Sequence, residues 1–350
     1  MHGAGYGGAI MKRPPFPRDE VESRISGILD LAEPCAHREL VLSLLRSGAR
    51  LPWEDTSRLD LKILNAAVRE LRRSFRAFAP YRAVRKVGVF GSARTPEDHA
   101  LYQLALRTGA LFAKHGMMVI TGAGGGVMEA ANRGAGREWG FGLGIRLPFE
   151  PDTNRFIHPQ RLVAFKYFFT RKLVFIKESS AYLLFPGGFG TNDEAFELLT
   201  LLQTGKAEPR PVVLLDLPGG TYWDTWLDFV RRELADQGYV DAADLELLVS
   251  VHSPEEALAE VERFYRVFHS SRWVGDRLLL RLRRPLSEEE RQGLATRFAD
   301  IIPGDGLATC ALPLEDRADP QLAVLHGICF QFGRRRFSRL RQLIDAINGL

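Results

Sequence analysis

Apolar and polar positions change texture twice along the 350-residue chain. From Asp19 to Pro80 apolar residues recur at spacings of three and four, most clearly Leu61, Leu64, Val68, Leu71, Phe75 and Phe78. This predicts amphipathic helices that pack on the downstream part of the chain, as a structural clasp or a dimer contact, with a stop at Pro80. At Val84 short apolar runs begin to alternate with helical stretches. Residues 87–90, 117–120, 142–147, 181–185 and 212–215 predict buried strands, and 96–114, 127–139, 165–177, 191–204 and 222–237 predict helices between them. Strand and helix repeated five times argue for a parallel sheet with helices on both faces, whose ligand sits beyond the carboxyl ends of the strands. A sixth unit comes next, extended over 245–251 and helical to about His269, with Ser253 as N-cap, Pro254 in the first turn and Glu256 three residues after the cap. The rest reads extended (273–282), helical (287–301), extended (307–312), extended (321–332) and helical (336–347), a βαββα order.

The predicted fold is therefore α/β, a Rossmann-like doubly wound parallel sheet with an N-terminal helical extension and a small C-terminal α+β module. The expected divisions are a flexible leader (1–18), the helical extension (19–80), the Rossmann-like domain (81–270) and the module (271–350).

Composition narrows the class. Hydrophobic residues at 45% and charged residues at 26% are globular values, which argues against disorder or coiled coil. Lys and Arg total 47 against 43 Asp and Glu, and a formal +4 is too small to announce a nucleic-acid partner. Cys35, Cys310 and Cys329 form no CxxC pair, so neither a disulfide framework nor a metal site is predicted, and a reducing cytoplasm is the expected compartment. No apolar run reaches the roughly 18–20 residues of a membrane span, and the opening MHGAGYGGAIMKRPPFP lacks a secretory apolar core.

Three glycine-rich turns come after predicted strands: Phe90-Gly91-Ser92-Ala93-Arg94 after the first, Thr121 to Glu129 after the second, and Pro186-Gly187-Gly188-Phe189-Gly190-Thr191, running on to Glu194, after that ending at 185. A helix that begins at such a turn aims N–H groups and partial positive charge outward, so phosphate is the expected guest. None has clean GxGxxG spacing, and no Walker lysine is present, which disfavours a dinucleotide enzyme or a P-loop kinase.

The third turn, continued by Asp193 and Glu194, resembles the PGGxGTxxE signature of the LOG family, the lysine-decarboxylase-like nucleoside-5'-monophosphate phosphoribohydrolases. Arg171-Lys172 is similar to the family's paired Arg-Lys, Thr121 to Ala135 to its TGxGxGxMExAxxGA element, and Phe90-Gly91-Ser92 to its first turn. The resemblance covers about residues 84–265, and the run Leu147-Pro148-Phe149-Glu150 is similar to the longer bacterial branch. It implies hydrolysis of the N-glycosidic bond of an AMP-like nucleotide to free base and ribose 5-phosphate by a homodimer, without metal or cofactor, with Glu194 and Arg171 as the catalytic pair. It further implies substrate contacts from Gly188, Phe189, Gly190, Thr191, Asn192 and Asp193, from Lys172, Thr200 and Glu150, and from Gly91, Ser92, Gly124 and Gly125. The chemistry agrees, because an oxocarbenium-like ribosyl cation needs a carboxylate nearby and fixed donors on the phosphate. Gly125 stands where the longer branch usually has proline and Asn192 where an apolar residue is usual, which predicts a looser, more polar loop.

Blander readings exist. Glu194 serves equally as a first-turn acid complementing the helix dipole, Arg171 as a surface cation, and Asn132 as a plain helix residue. The alternative function is a non-catalytic nucleotide or molybdenum-cofactor carrier on the same fold, which has no need of Arg171 together with Glu194. Pyridoxal-phosphate decarboxylation lacks a recognisable Schiff-base lysine motif. The aromatic residues Phe165, Tyr167, Phe168, Phe169 and Phe175 predict a dimer face on the Arg171 helix. In the module, Arg277, Arg281, Arg283, Arg284 and the run Arg334 to Arg339 predict either a solvated face or a site for a phosphorylated effector.

Overall fold

The computed structural model describes residues 18–30, 37–146, 153–304 and 306–350, which fall into two compact units, 1–69 and 70–350. Residues 1–17 of the expected leader, Cys35, and Leu147 to Glu150 lie outside the described residues.

In the first unit α1 (Arg18–Asp30) and α2 (Arg38–Arg50) are joined by Arg38, whose Nη2 donates to Asp30 Oδ1 at 2.6 Å and to Ser26 Oγ at 2.8 Å. Helix α3 (Arg58–Phe78) starts because Ser57 Oγ accepts the Asp60 N–H at 3.1 Å while donating to its carboxylate at 2.7 Å. It runs on past Arg69 into the second unit.

That unit continues with β1 (Lys86–Phe90), α4 (Ala100–Lys114), β2 (Met118–Thr121), α5 (Val127–Ala135), β3 (Gly140–Ile145), β4 (Leu162–Phe165), α6 (Phe168–Glu178), β5 (Ala181–Leu184), α7 (Phe189–Gln203), β6 (Val212–Leu215), α8 (Tyr222–Phe229), β7 (Leu248–Val251) and α9 (Pro254–Phe264). Among the described residues these strands form one seven-stranded parallel sheet in the order β4-β3-β2-β1-β5-β6-β7. The doubly wound fold is as expected. Alternate residues face opposite layers: Val87, Val89, Leu183 and Val213 pack with α4, α5 and α9, while Phe90, Tyr182, Leu184 and Leu214 pack with α6, α7 and α8. The order reverses between β1 and β5, so the loops after β1, β2 and β5 open into one crevice.

Several boundaries differ from the sequence expectation. Residues 162–165 form the edge strand β4, and only α6 after it is helical. Gly136, at φ +75°, ends α5 before Trp139. Residues 242–247 form a 3-10 segment capped by Asp241, leaving only 248–251 extended.

Helix α9 stops at Phe264, and the segment expected to be a single extended stretch is a hairpin, β8 (Phe268–Val274) and β9 (Arg277–Leu282), turning at Gly275 with φ +63°. The expected boundary at 270 falls inside β8. After it come α10 (Glu288–Arg297), β10 (Ala308–Cys310), α11 (Leu314–Ala318), β11 (His326–Gln331) and α12 (Phe337–Gly349). The four strands make an antiparallel sheet ordered β10-β11-β9-β8 over a core of Phe268, Leu280, Phe298, Phe330, Leu343 and Ile344. Helix α12 closes back on the first sheet's helices: Arg341 pairs with Glu260 at 2.8 Å, and Asn348 Oδ1 accepts the N–H groups of Val267 and Phe268 at 2.9 Å. Among the described residues no helix is long and apolar enough to cross a membrane.

Candidate functional site

The three turns are stitched to one another. Gly91 packs so closely that a Cβ there would lie 2.6 Å from Val127 Cγ1, so only glycine fits. Ser92 N–H donates to the Pro186 carbonyl at 3.1 Å, and Val127 N–H donates to the Ser92 carbonyl at 3.0 Å. Inside the second turn Ala123 sits at φ +64°, a left-handed backbone that a non-glycine residue adopts only when its surroundings impose it. They do so through a buried amide network. Thr121 Oγ1 accepts the Ala123 N–H at 3.0 Å and donates to Asn132 Oδ1 at 2.5 Å, while Asn154 donates to Asn132 Oδ1 at 3.2 Å and to the Gly124 carbonyl at 3.1 Å. Asn132 is thus a structural brace on α5. The third turn is held by Tyr222 of α8 and Asn192, whose amide bonds the Gly188 carbonyl at 3.1 Å and the Tyr222 hydroxyl at 3.0 Å. Where sequence alone suggested a looser loop, Asn192 is a tie.

Together the turns wall a cleft of about 780 Å³. It gathers Gly91, Ser92, Gly124, Arg171, Gly188, Phe189, Gly190, Thr191, Asn192, Asp193 and Glu194. Helix α7 points its first turn at this space: Gly188 is the N-cap, and the N–H groups of Phe189 and Gly190 belong to the turn that has no intrahelical acceptor. A Cβ on Gly188 or Gly190 would meet no atom within 4 Å, so both positions open onto the cleft rather than into packing.

Glu194 lines the cleft yet is only 6% exposed. Burial pushes its carboxyl up to about 7, against the pull of Lys172 and Arg171 and with a smaller push from Glu197 and Asp193. Arg171 reaches the cleft from α6 and is aimed by a bond from its Nε to the Leu143 carbonyl at 2.8 Å, with its guanidinium lying across Gly122 so closely that a Cβ there would clash. Lys172 is outside the lining and pairs with Asp193 at 2.9 Å and Glu197 at 2.6 Å. Burial disfavours its charge, but those bonds outweigh it and raise the ammonium above its usual value. Gly125 is also outside the lining, beside the Ala93 carbonyl. Thr200 is exposed on α7 and bonds back to the Phe196 carbonyl at 2.8 Å, away from the cleft. Glu150 lies outside the described residues.

The cleft also takes its apolar lining from Phe90, Met128, Ile145 and Phe168 and a second arginine, Arg94, to none of which the sequence assigns a site role, although Phe90 and Arg94 are the ends of its first glycine turn. Of the aromatic residues expected to form a dimer face, Phe165 and Phe175 are fully buried against the sheet; Phe168 and Phe169, with Leu173, remain half exposed. The arginines of the module are mostly committed internally: Arg281 pairs with Asp316 at 2.7 Å, Arg284 with Glu290 at 2.8 Å, and Arg339 with Asp300 at 3.1 Å. A phosphorylated effector there would have to displace these carboxylates. Among the described residues no group of three His, Cys, Asp or Glu side chains is placed to hold a metal ion.

Fold and cleft define a doubly wound α/β protein with an anion-suited crevice at its topological switch point. Residues 128–261 match the family described as possible lysine decarboxylase, the segment that also holds the Arg171-Lys172 pair and the third glycine turn. Over 94 residues it is 31% identical to the cytokinin riboside 5'-monophosphate phosphoribohydrolase LOG3 of Arabidopsis thaliana, a match covering 27% of this chain and 42% of that protein. The chain thus spans less than half the length of that relative. Over 186 residues it is 28% identical to the probable cytokinin riboside 5'-monophosphate phosphoribohydrolase LOGL5 of Oryza sativa subsp. japonica, covering 51% of this chain and 72% of that one. Among solved structures, the molybdenum cofactor binding protein of Rippkaea orientalis is 22% identical, with a TM-score of 0.37 over 51% of this chain and 96% of that chain.

Proposed function

We propose that the protein hydrolyses the N-glycosidic bond of a nucleoside 5'-monophosphate, releasing free base and ribose 5-phosphate. The observation that supports this most is Glu194, a buried carboxyl sharing a cleft with Arg171 at the start of a helix whose first-turn N–H groups suit a phosphate. In this reading the 5'-phosphate sits on Gly188, Phe189, Gly190 and Thr191, and the apolar lining around Met128, Ile145 and Phe168 receives the base. As the C1'–N bond breaks, its electron pair leaves with the base. Ionised Glu194 faces the ribosyl cation and accepts the proton of the water that adds at C1'; the departing base takes up a proton from solvent, and Glu194 returns its own to solvent, restoring the carboxylate. Arg171 adds positive charge where the phosphate and the leaving base carry negative charge. The names of the relatives agree with this chemistry, and the pairing of acid with arginine is what a carrier would not require.

The test is to incubate the purified protein with AMP, GMP, CMP and UMP and measure free base and ribose 5-phosphate. Base release from at least one nucleotide is expected. Tight nucleotide binding with no release from any of the four would favour the carrier reading instead.

A further inference from the structure

We propose that Glu70 is a positioning residue for the cleft, tying down the start of helix α6 from outside and so fixing Arg171; its catalytic consequence rests on the hydrolase reading above. Helix α6 begins at Phe168 after Tyr167, an extended residue whose side chain caps nothing, so the sequence of α6 provides no acceptor for its own first turn. A tie comes from α3, and it holds the residue before the cap and a first-turn hydroxyl rather than the turn's free N–H groups. Glu70 Oε1 accepts the Lys166 N–H at 2.9 Å, and Oε2 accepts the Thr170 hydroxyl at 2.6 Å. A carboxylate at a helix N-terminus is favoured by the dipole, and one that is only 7% exposed is tolerated only where it is fully bonded. Both of these bonds go to the start of α6.

The next residue after Thr170 is Arg171. Its guanidinium threads between the Leu143 carbonyl and Gly122 with no room to spare, and Phe168, in the same first turn, lines the cleft. A first turn that frayed or rotated would carry Arg171 off that line, and a misplacement of about 1 Å is enough to cost a reaction heavily. Glutamine can keep the geometry without the charge. Its oxygen accepts from Lys166 and its amide donates to Thr170 Oγ1, whose hydroxyl turns to the Tyr167 carbonyl 3.0 Å away. Alanine can do neither.

The experiment compares Glu70→Ala, Glu70→Gln and Thr170→Val in the full chain, reading kcat and KM for base release from AMP and amide exchange over residues 166–173. Glu70→Ala is expected to lower kcat at least tenfold with KM changed less than threefold and to speed that exchange at least tenfold, while Glu70→Gln keeps half the activity or more. Should Glu70→Ala not fold, Thr170→Val removes one bond only and is expected to lower kcat at least threefold with faster exchange. Wild-type kcat and exchange in Glu70→Ala, or in Thr170→Val, would overturn the proposal, as would a Glu70→Gln variant as impaired as the alanine. If the wild type releases no base, the hydrolase reading fails, and the exchange rates alone decide whether Glu70 positions α6.

Discussion

The phenol of Tyr222 donates to the Gly187 carbonyl across 2.6 Å, tying the first turn of α8 to the glycine loop at the mouth of α7. The same oxygen accepts from Asn192, so one hydroxyl joins both ends of the loop. Tyr222→Phe leaves two polar groups without that partner at little cost in packing, and a lost bond of this kind is worth about 1 kcal/mol. AMP affinity measured by calorimetry is therefore expected to fall about threefold to tenfold, with the melting temperature little changed. Unchanged affinity would show that the loop keeps its shape without the tie.

Glu194→Gln preserves shape and removes charge needed chiefly in the transition state. Turnover of AMP is expected to fall at least about 10²-fold with binding largely intact. In the wild type, kcat/KM is expected to rise with pH up to about 7, where the buried carboxyl of the free protein becomes ionised, and to level off above it. A glutamine variant with near-native turnover would remove Glu194 from the chemistry.

The same carboxyl links stability to pH. Its usual value of 4.5 is raised to about 7 by burial, so its contribution to folding is fully present below pH 4.5 and is lost as pH rises through 7. The amount at stake is of the order of 3 kcal/mol. Thermal melts should show Glu194→Gln gaining stability relative to wild type at pH 8 compared with pH 4.5. Parallel melting curves for the two proteins across that range would contradict the raised value.

Gly190 and Gly126 lie in neighbouring turns but should fail in different ways. Gly190 opens onto the cleft, so Gly190→Val is expected to leave the melting temperature within a few degrees of wild type while abolishing AMP binding. Gly126 is at φ +61°, and a Cβ there would clash with the Ser92 carbonyl oxygen, so Gly126→Ala is expected to destabilise the fold by at least about 1 kcal/mol. Calorimetry and thermal melts on the pair separate the roles. A Gly190→Val protein that still binds AMP would count against the phosphate loop.

Phe168, Phe169 and Leu173 leave an apolar face on α6 beside the cleft, with Phe75 of α3 partly exposed as well. A second copy is the expected cover. Light scattering should return about twice the 39.3 kDa of the chain, and replacing Phe169 and Leu173 with serine should lower it. A constant value near 39 kDa over a concentration series would reject the dimer.

The parallel sheet was legible because strands buried on both faces leave unbroken apolar runs; β1, β5 and β6 read that way directly. Edge strand β4 has four residues, alternately buried, and lies beside a helix rich in the same residue types, so its pattern merged with α6. The β8–β9 hairpin has a local signal, the Gly275-Asp276 pair, but its flanking arginines blur the alternation that would divide 273–282 into two strands. The cleft's glycines and Glu194 could be found because a turn and the helix after it are local. Glu70 and Tyr222 could not. Their partners lie 100 and 35 positions away, and nothing in a linear pattern joins a mid-helix acid to the start of another helix.

Strand β1, buried along its whole length, takes β2 on one side and β5 on the other, with Val87 set against both Val119 and Ala181. The central strand of the sheet therefore waits for residues far along the chain before its second edge is filled. Until then a strand built to be buried on both faces presents an open hydrogen-bonding rim. Pairings of this range make for slow folding. They also leave a window in which other chains can dock on that rim, so yield on refolding should depend on protein concentration more steeply than native stability would suggest.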